Sequence, residues 1–76
     1  MNVIKADKSS KIYQIANYLK EHGEATSSEI AKGIGSRNII IREVGNICSR
    51  HPELFSMKRI NKGRNTYILN EGVVIV

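Results

Sequence analysis

The chain has 76 residues, 41% hydrophobic and 25% charged, with a net charge of +5 at pH 7. That length leaves room for one modest core and none for a second lobe closing over a substrate cleft, so a binding module is expected rather than an enzyme. The composition is that of a globular protein and excludes wholesale disorder, while the single cysteine, Cys48, excludes an internal disulfide.

A small domain outside the cell is usually stapled by several disulfides, so the lone cysteine points to a reducing, cytoplasmic setting. The first residues, MNVIKADKSS, lack the apolar core of a signal peptide, and the runs VVIV and III are far shorter than a bilayer span. No membrane partner is expected. The chain divides into an N-terminal arm over residues 1–8, a domain over 9–70 and an apolar tail over 71–76.

The first segment after the arm, SSKIYQIANYLKEHG, has Ser9 or Ser10 to cap a helix, Gly23 to stop it, and Ile12, Ile15, Ala16 and Leu19 at helical spacing. Tyr13 and Tyr18 flank that stripe and read as half-buried rings with wet hydroxyls. The next, ATSSEIAKGIG, predicts a short helix with Thr26 and Glu29 as a reciprocal capping box, Ile30, Ala31 and Ile34 inward, and Gly33 and Gly35 limiting its length.

A third helix is expected over residues 37–50, capped by Ser36 and ended before Pro52, because the residue preceding proline is disfavoured in the helical region. It carries three isoleucines in a row. Successive residues on a helix point about 100° apart, so one buried face takes two of the three. The wheel turns Ile40 and Ile41 inward with Val44, Ile47 and Cys48, and leaves Ile39 outside with Asn38, Arg42, Asn46 and Ser49. Gly45 stands mid-helix, where glycine costs about 1 kcal/mol relative to alanine.

The last third changes period. FSMKRI and NTYILN are β-type runs joined by NKGR, which predicts a hairpin with Phe55, Met57, Tyr67 and Leu69 inward and a bulge or twist near the tip at Ile60, where strict alternation fails. The tail EGVVIV reads equally as a third strand, a packing segment or a dimer contact.

Charge is concentrated in one half. Residues 1–35 set five lysines against four acids, whereas residues 36–70 carry Arg37, Arg42, Arg50, Lys58, Arg59, Lys62 and Arg64 against only Glu43 and Glu53. Such an asymmetry suggests a surface facing a polyanion. Enzyme signatures are missing: Gly33 and Gly35 give only G-x-G, no phosphate-loop pattern exists, and His22, His51 and Cys48 have no zinc-site spacing. Cys48, on the apolar side of its helix, reads as an inert buried thiol. No cofactor, metal or small-molecule ligand is evident.

Helix, short helix, tight turn, longer helix and basic hairpin, with TSSEIAKGIGSRNIIIREVGNI at the junction, resemble the winged helix-turn-helix DNA-binding domains. The resemblance covers residues 9–70 and is nearest to small regulators encoded by archaea, plasmids and viruses. It implies an α+β fold of three helices followed by a β-hairpin wing, with residues 24–26 forming a small strand beside the wing. It further implies double-stranded DNA as partner and a role in transcription regulation, with helix 3 in the major groove and the wing on adjacent backbone or minor groove.

Carried over by position, the base-contacting candidates are Arg37, Asn38, Ile39, Arg42 and Asn46. The residue types agree, since Arg pairs with guanine, Asn with adenine, and an apolar side chain packs on a thymine methyl. The backbone-contacting candidates are Ser36, Arg50, Lys58, Arg59, Lys62, Gly63 and Arg64. A homodimer is left open. Two rival readings remain at this point: a protein-interaction module using exposed Ile39 and the VVIV tail, and a nonspecific chromatin-type binder.

Overall fold

The computed structural model describes residues 2–61 and 64–76. Its elements run β1 (Val3–Ile4), α1 (Lys11–His22), β2 (Ala25–Thr26), α2 (Ser27–Ile34), α3 (Ile41–Arg50), β3 (Phe55–Asn61), β4 (Arg64–Leu69) and β5 (Val74–Ile75). The result is an α+β fold of three helices and a small antiparallel sheet ordered β2-β4-β3, with β1 and β5 forming a separate parallel pair.

The first two helices form where local chemistry asks for them. Ser10 caps α1 by accepting the Tyr13 N–H at 3.3 Å, and Gly23, at φ 81°, ends it by returning its N–H to the Leu19 carbonyl. Ile15, Ala16 and Leu19 are its buried face. The α2 capping box is complete: Thr26 Oγ1 accepts the Glu29 N–H at 3.2 Å, and Glu29 Oε1 accepts the Thr26 N–H at 2.9 Å. Gly33 lets the two helices approach. A Cβ there would stand 2.1 Å from Tyr18 Cε2, so the tyrosine ring occupies the space a larger residue would need.

The third helix departs from expectation at its start. It begins at Ile41 rather than Arg37, and its end at Arg50 stands as expected. Residues 36–38 form a turn in which the Asn38 and Ile39 N–H groups both reach back to the Gly35 carbonyl, at 2.9 and 3.2 Å. Ile40, extended at φ −103° and ψ 159°, takes the N-cap position, so Ser36 caps nothing.

The isoleucine triplet is inverted as a result. Ile39 is 1% exposed, while Ile40 and Ile41 are each 53% exposed. With Ile40 at the N-cap, Ile39 precedes it and Val44 is the fourth helical residue, the two positions of a hydrophobic staple, and both lie in the core. The wheel failed because it ran an unbroken helix through a turn. Glu43, three residues past the cap, accepts the Ile40 N–H at 3.1 Å, which is half of a capping box. The other half is absent because isoleucine has no acceptor to offer.

In the sheet, β4 is central. Ala25 and Thr26 of β2 pair with Tyr67 and Thr66, and β3 pairs with β4 from Phe55↔Leu69 to Asn61↔Arg64. The register shifts between Arg59 and Asn61, leaving Ile60 as the bulged residue expected from its broken alternation. Phe55 and Tyr67 are buried and Leu69 is half-buried, but Met57 is exposed. Its parity is right, since it lies opposite Tyr67; β3 is an edge strand, and the core does not extend that far.

Arm and tail meet. Val3 and Ile4 pair with Val74 and Ile75, and the Ala6 N–H donates to the Val76 carbonyl at 2.7 Å. Ile4 is buried in the core, with Val73 and Ile75 packed against it, so the tail is a strand as well as a packing segment. No helix among the described residues is long and apolar enough to cross a membrane.

Candidate nucleic-acid interface

Val44 and Cys48 anchor α3 in the core, and the helix lies against α2 on one side and β3 on another. Residues four apart on a helix share a face, so Arg42, Asn46 and Arg50 form one outward stripe, with Ser49 beside it; all four are exposed. The acid of this helix is withdrawn from that stripe. Glu43 is half-buried, with Oε2 accepting from Lys11 Nζ of α1 and Oε1 accepting from the Ile40 N–H. The Lys11 hydrogen bond first, and the Ile40 N–H second, hold its carboxyl below the ordinary value. The exposed α3 surface therefore carries two arginines and no competing carboxylate of its own.

The hairpin is tied to the end of this helix. Asn70, just past β4, donates its side-chain amide to the Pro52 carbonyl at 2.9 Å and its backbone N–H to the Leu54 carbonyl at 2.8 Å. Ser56 donates its hydroxyl to the Asn70 side-chain oxygen. These bonds pin the hairpin base to the loop that leaves α3, and the sequence reading did not single out Asn70. Lys58, Arg59 and Arg64 are exposed on the two strands, with Lys58 opposite Thr66 and Arg59 opposite Asn65. Lys62 and Gly63 lie outside the described residues.

The remaining candidates divide. Ser36, Arg37 and Asn38 sit on the turn before α3, not on the helix, and all three are exposed. Asn38 donates its amide to the Ile34 carbonyl at 3.3 Å, an engagement that closes the end of α2. Ile39 is interior and is removed from the surface altogether. Ile40 and Ile41 replace it at the mouth of α3. The sequence signal for that exchange was the staple spacing of Ile39 and Val44 with Glu43 between them, which marks Ile40 as the cap.

Gly45 is not demanded by packing. A Cβ there would stand 3.6 Å from the Tyr67 hydroxyl, an ordinary contact. Its effect is to keep α3 low between Ile41 and Ser49, the residues one turn away on either side.

Burial pushes the Cys48 thiol up to about 12, so it is neutral at physiological pH. His22 stacks on Tyr18 with ring centroids 4.2 Å apart, and His51 Nδ1 lies 3.1 Å from Glu53 Oε2. Among the described residues no group of three or more His, Cys, Asp or Glu side chains could hold a metal ion. A depression of about 540 Å³ lies between α1 and the turn after α2, lined by Tyr13, Asn17, Tyr18, His22 and Asn38 among others. No family model, curated protein or solved structure matches this chain.

Proposed function

We propose that this chain is a winged helix-turn-helix domain that binds double-stranded DNA with sequence preference, acting as a small, non-enzymatic transcription regulator in the cytoplasm. The observation that carries the reading is the acid-free stripe of Arg42, Asn46 and Arg50 on the outer face of α3, followed directly by a hairpin bearing Lys58, Arg59 and Arg64. In this reading α3 enters the major groove, where Arg42 pairs with guanine and Asn46 with adenine. Arg50, Ser36 and Arg37 reach phosphates flanking the groove, and the hairpin, as the wing, supplies further phosphate contacts.

Each copy offers one α3, and so one major-groove contact. A homodimer would read two half-sites.

Duplexes selected from a random pool, titrated against scrambled competitor, test the reading. Arg42→Ala and Asn46→Ala should each cost about 1–3 kcal/mol on the selected duplex and little on the scrambled one. Lys58→Ala with Arg64→Ala should weaken both alike and flatten the salt dependence, by about 0.9 log unit per log salt for each phosphate that is no longer neutralised. A wild-type protein that binds every duplex equally, or none, overturns the proposal. The exposed Ile40 and Ile41 favour a second reading, a protein-interaction module, which would ignore duplex in the same titration.

A further inference from the structure

Between α2 and the start of α3 runs a groove of about 330 Å³ lined by Ser28, Ala31, Lys32, Ser36, Ile39, Ile40 and Ile41. Its apolar rim is the isoleucine pair, two β-branched side chains each 53% exposed at the N-cap and first position of the helix. The core gains nothing from that exposure. Ile40 also occupies a position that favours Ser, Thr, Asp or Asn for a side-chain acceptor; isoleucine has none, and the Glu43 N–H donates to the Ile40 carbonyl at 3.0 Å instead.

What the pair faces is indicated by charge. Among the described residues Lys32 is the one charged side chain lining the groove, and Arg37 and Arg42 lie close to its other lining residues in the chain. The two nearby carboxylates are engaged elsewhere: Glu29 on the Thr26 N–H and Glu43 on Lys11 and the Ile40 N–H. An apolar ridge with one lysine on its groove and two arginines next to it in the chain, its neighbouring carboxylates occupied, fits a ligand that is methyl-bearing on its surface and anionic around it. The major groove of duplex DNA at a thymine is such a ligand, its C5-methyl flanked by phosphates.

We infer that Ile40 and Ile41 are specificity-determining residues that pack on thymine methyl groups at the edge of the site read by Arg42 and Asn46. The inference rests on the DNA-binding reading and adds a chemical preference to it. Arg42 follows Ile41 directly, so the thymine should lie within a step or two of the base pair that Arg42 contacts.

The test replaces each thymine of the selected duplex, one at a time, by deoxyuridine, which removes the methyl and leaves Watson–Crick pairing intact. Affinity is measured for the wild-type protein, Ile40→Ala and Ile41→Ala. For the wild type, one or two positions should lose about fourfold, the equivalent of about 0.8 kcal/mol for one buried methyl. At those positions the matching alanine variant should bind thymine and uracil alike, while still losing affinity when the base paired to Arg42 is changed. Equal wild-type binding of thymine and uracil at every position, or a selected site without thymine near that base pair, overturns the inference and leaves the DNA-binding reading standing. Absence of any preferred duplex overturns both. Alanine variants that keep the full thymine preference but lose self-association assign the ridge to a protein contact instead.

Discussion

Two helices of this molecule begin with the same acid at the same place and reach opposite results. At α2 the box is complete, with Thr26 and Glu29 each satisfying the other's backbone N–H, and Thr26, Ile30 and Ala31 around it are buried. At α3 only the Glu43 half exists, the cap is an isoleucine, and two apolar side chains stand in solvent. Both caps are extended, Thr26 at φ −76° and ψ 162° and Ile40 at φ −103° and ψ 159°, so backbone geometry would accept a capping side chain at either. The difference is therefore one of side-chain choice: α2 has a side-chain cap and α3 forgoes one at its exposed end.

The comparison is broken most severely at the staple. Ile39→Ala should cost about 2–5 kcal/mol, because it opens a cavity among Ile30, Val44 and their neighbours in the core. A domain whose entire stability is about 5–15 kcal/mol should show this as a large fall in melting temperature. Ile40→Ala and Ile41→Ala, by contrast, should stay within about 0.5 kcal/mol of wild type. Denaturant titration of the three variants checks the pattern; a large loss at Ile41 with none at Ile39 would restore an uninterrupted helix from Arg37.

That inversion marks the limit of what the chain discloses by itself. The caps of α1 and α2, the stop at Gly23 and the bulge at Ile60 depend on residues within a turn of each other, and local chemistry declares them. Arg42 and Asn46 were legible as an exposed pair because their four-residue spacing survives a misplaced helix start. The start itself was hidden: three identical isoleucines carry no period, so the wheel could be rotated by one or two residues at no apparent cost. Met57 was misread because its burial depends on whether a helix covers an edge strand, and the β1–β5 pairing joins residues at opposite ends of the chain, as with Val3 and Val74. No local pattern reports such contacts.

A second pair of changes sharpens the contrast by exchanging the caps. Thr26→Ala should destabilise by about 1 kcal/mol through loss of the α2 cap. Ile40→Thr should move the other way, gaining up to about 1 kcal/mol by completing the box with Glu43. On DNA the signs reverse for Ile40, since the more stable variant should lose its thymine preference, whereas Thr26→Ala should retain preference at temperatures where it is folded. Denaturation midpoints and thymine-to-uracil affinity ratios on the same two proteins check both halves. A gain in stability with unchanged preference would mean that isoleucine at the cap has no bearing on recognition.

The smallest expected effect separates the two glutamates by what holds them. Glu29 is depressed chiefly by the Thr26 N–H and next by its hydroxyl, with Arg64 adding least; Glu43 is depressed first by Lys11 and then by the Ile40 N–H. A carboxylate held below its ordinary value of 4.5 contributes stability that is fully present above that pH and is lost as pH falls through the folded value. Glu29→Gln and Glu43→Gln should therefore each reduce the pH dependence of stability below about pH 4.5. They should differ in salt. The Lys11–Glu43 pair is partly open to solvent, with side chains 42% and 35% exposed, and a Debye length of about 3 Å at 1 M salt screens it. Thr26 is neutral, and its bonds to Glu29 have no such sensitivity. Acid titrations of folding at about 0.1 and 1 M sodium chloride should show the Glu43→Gln difference shrinking in high salt while the Glu29→Gln difference persists. Equal shrinkage would mean that charge, rather than hydrogen bonding to the cap, holds both helix starts. The contrast between them would then rest on the side chains of Thr26 and Ile40 alone.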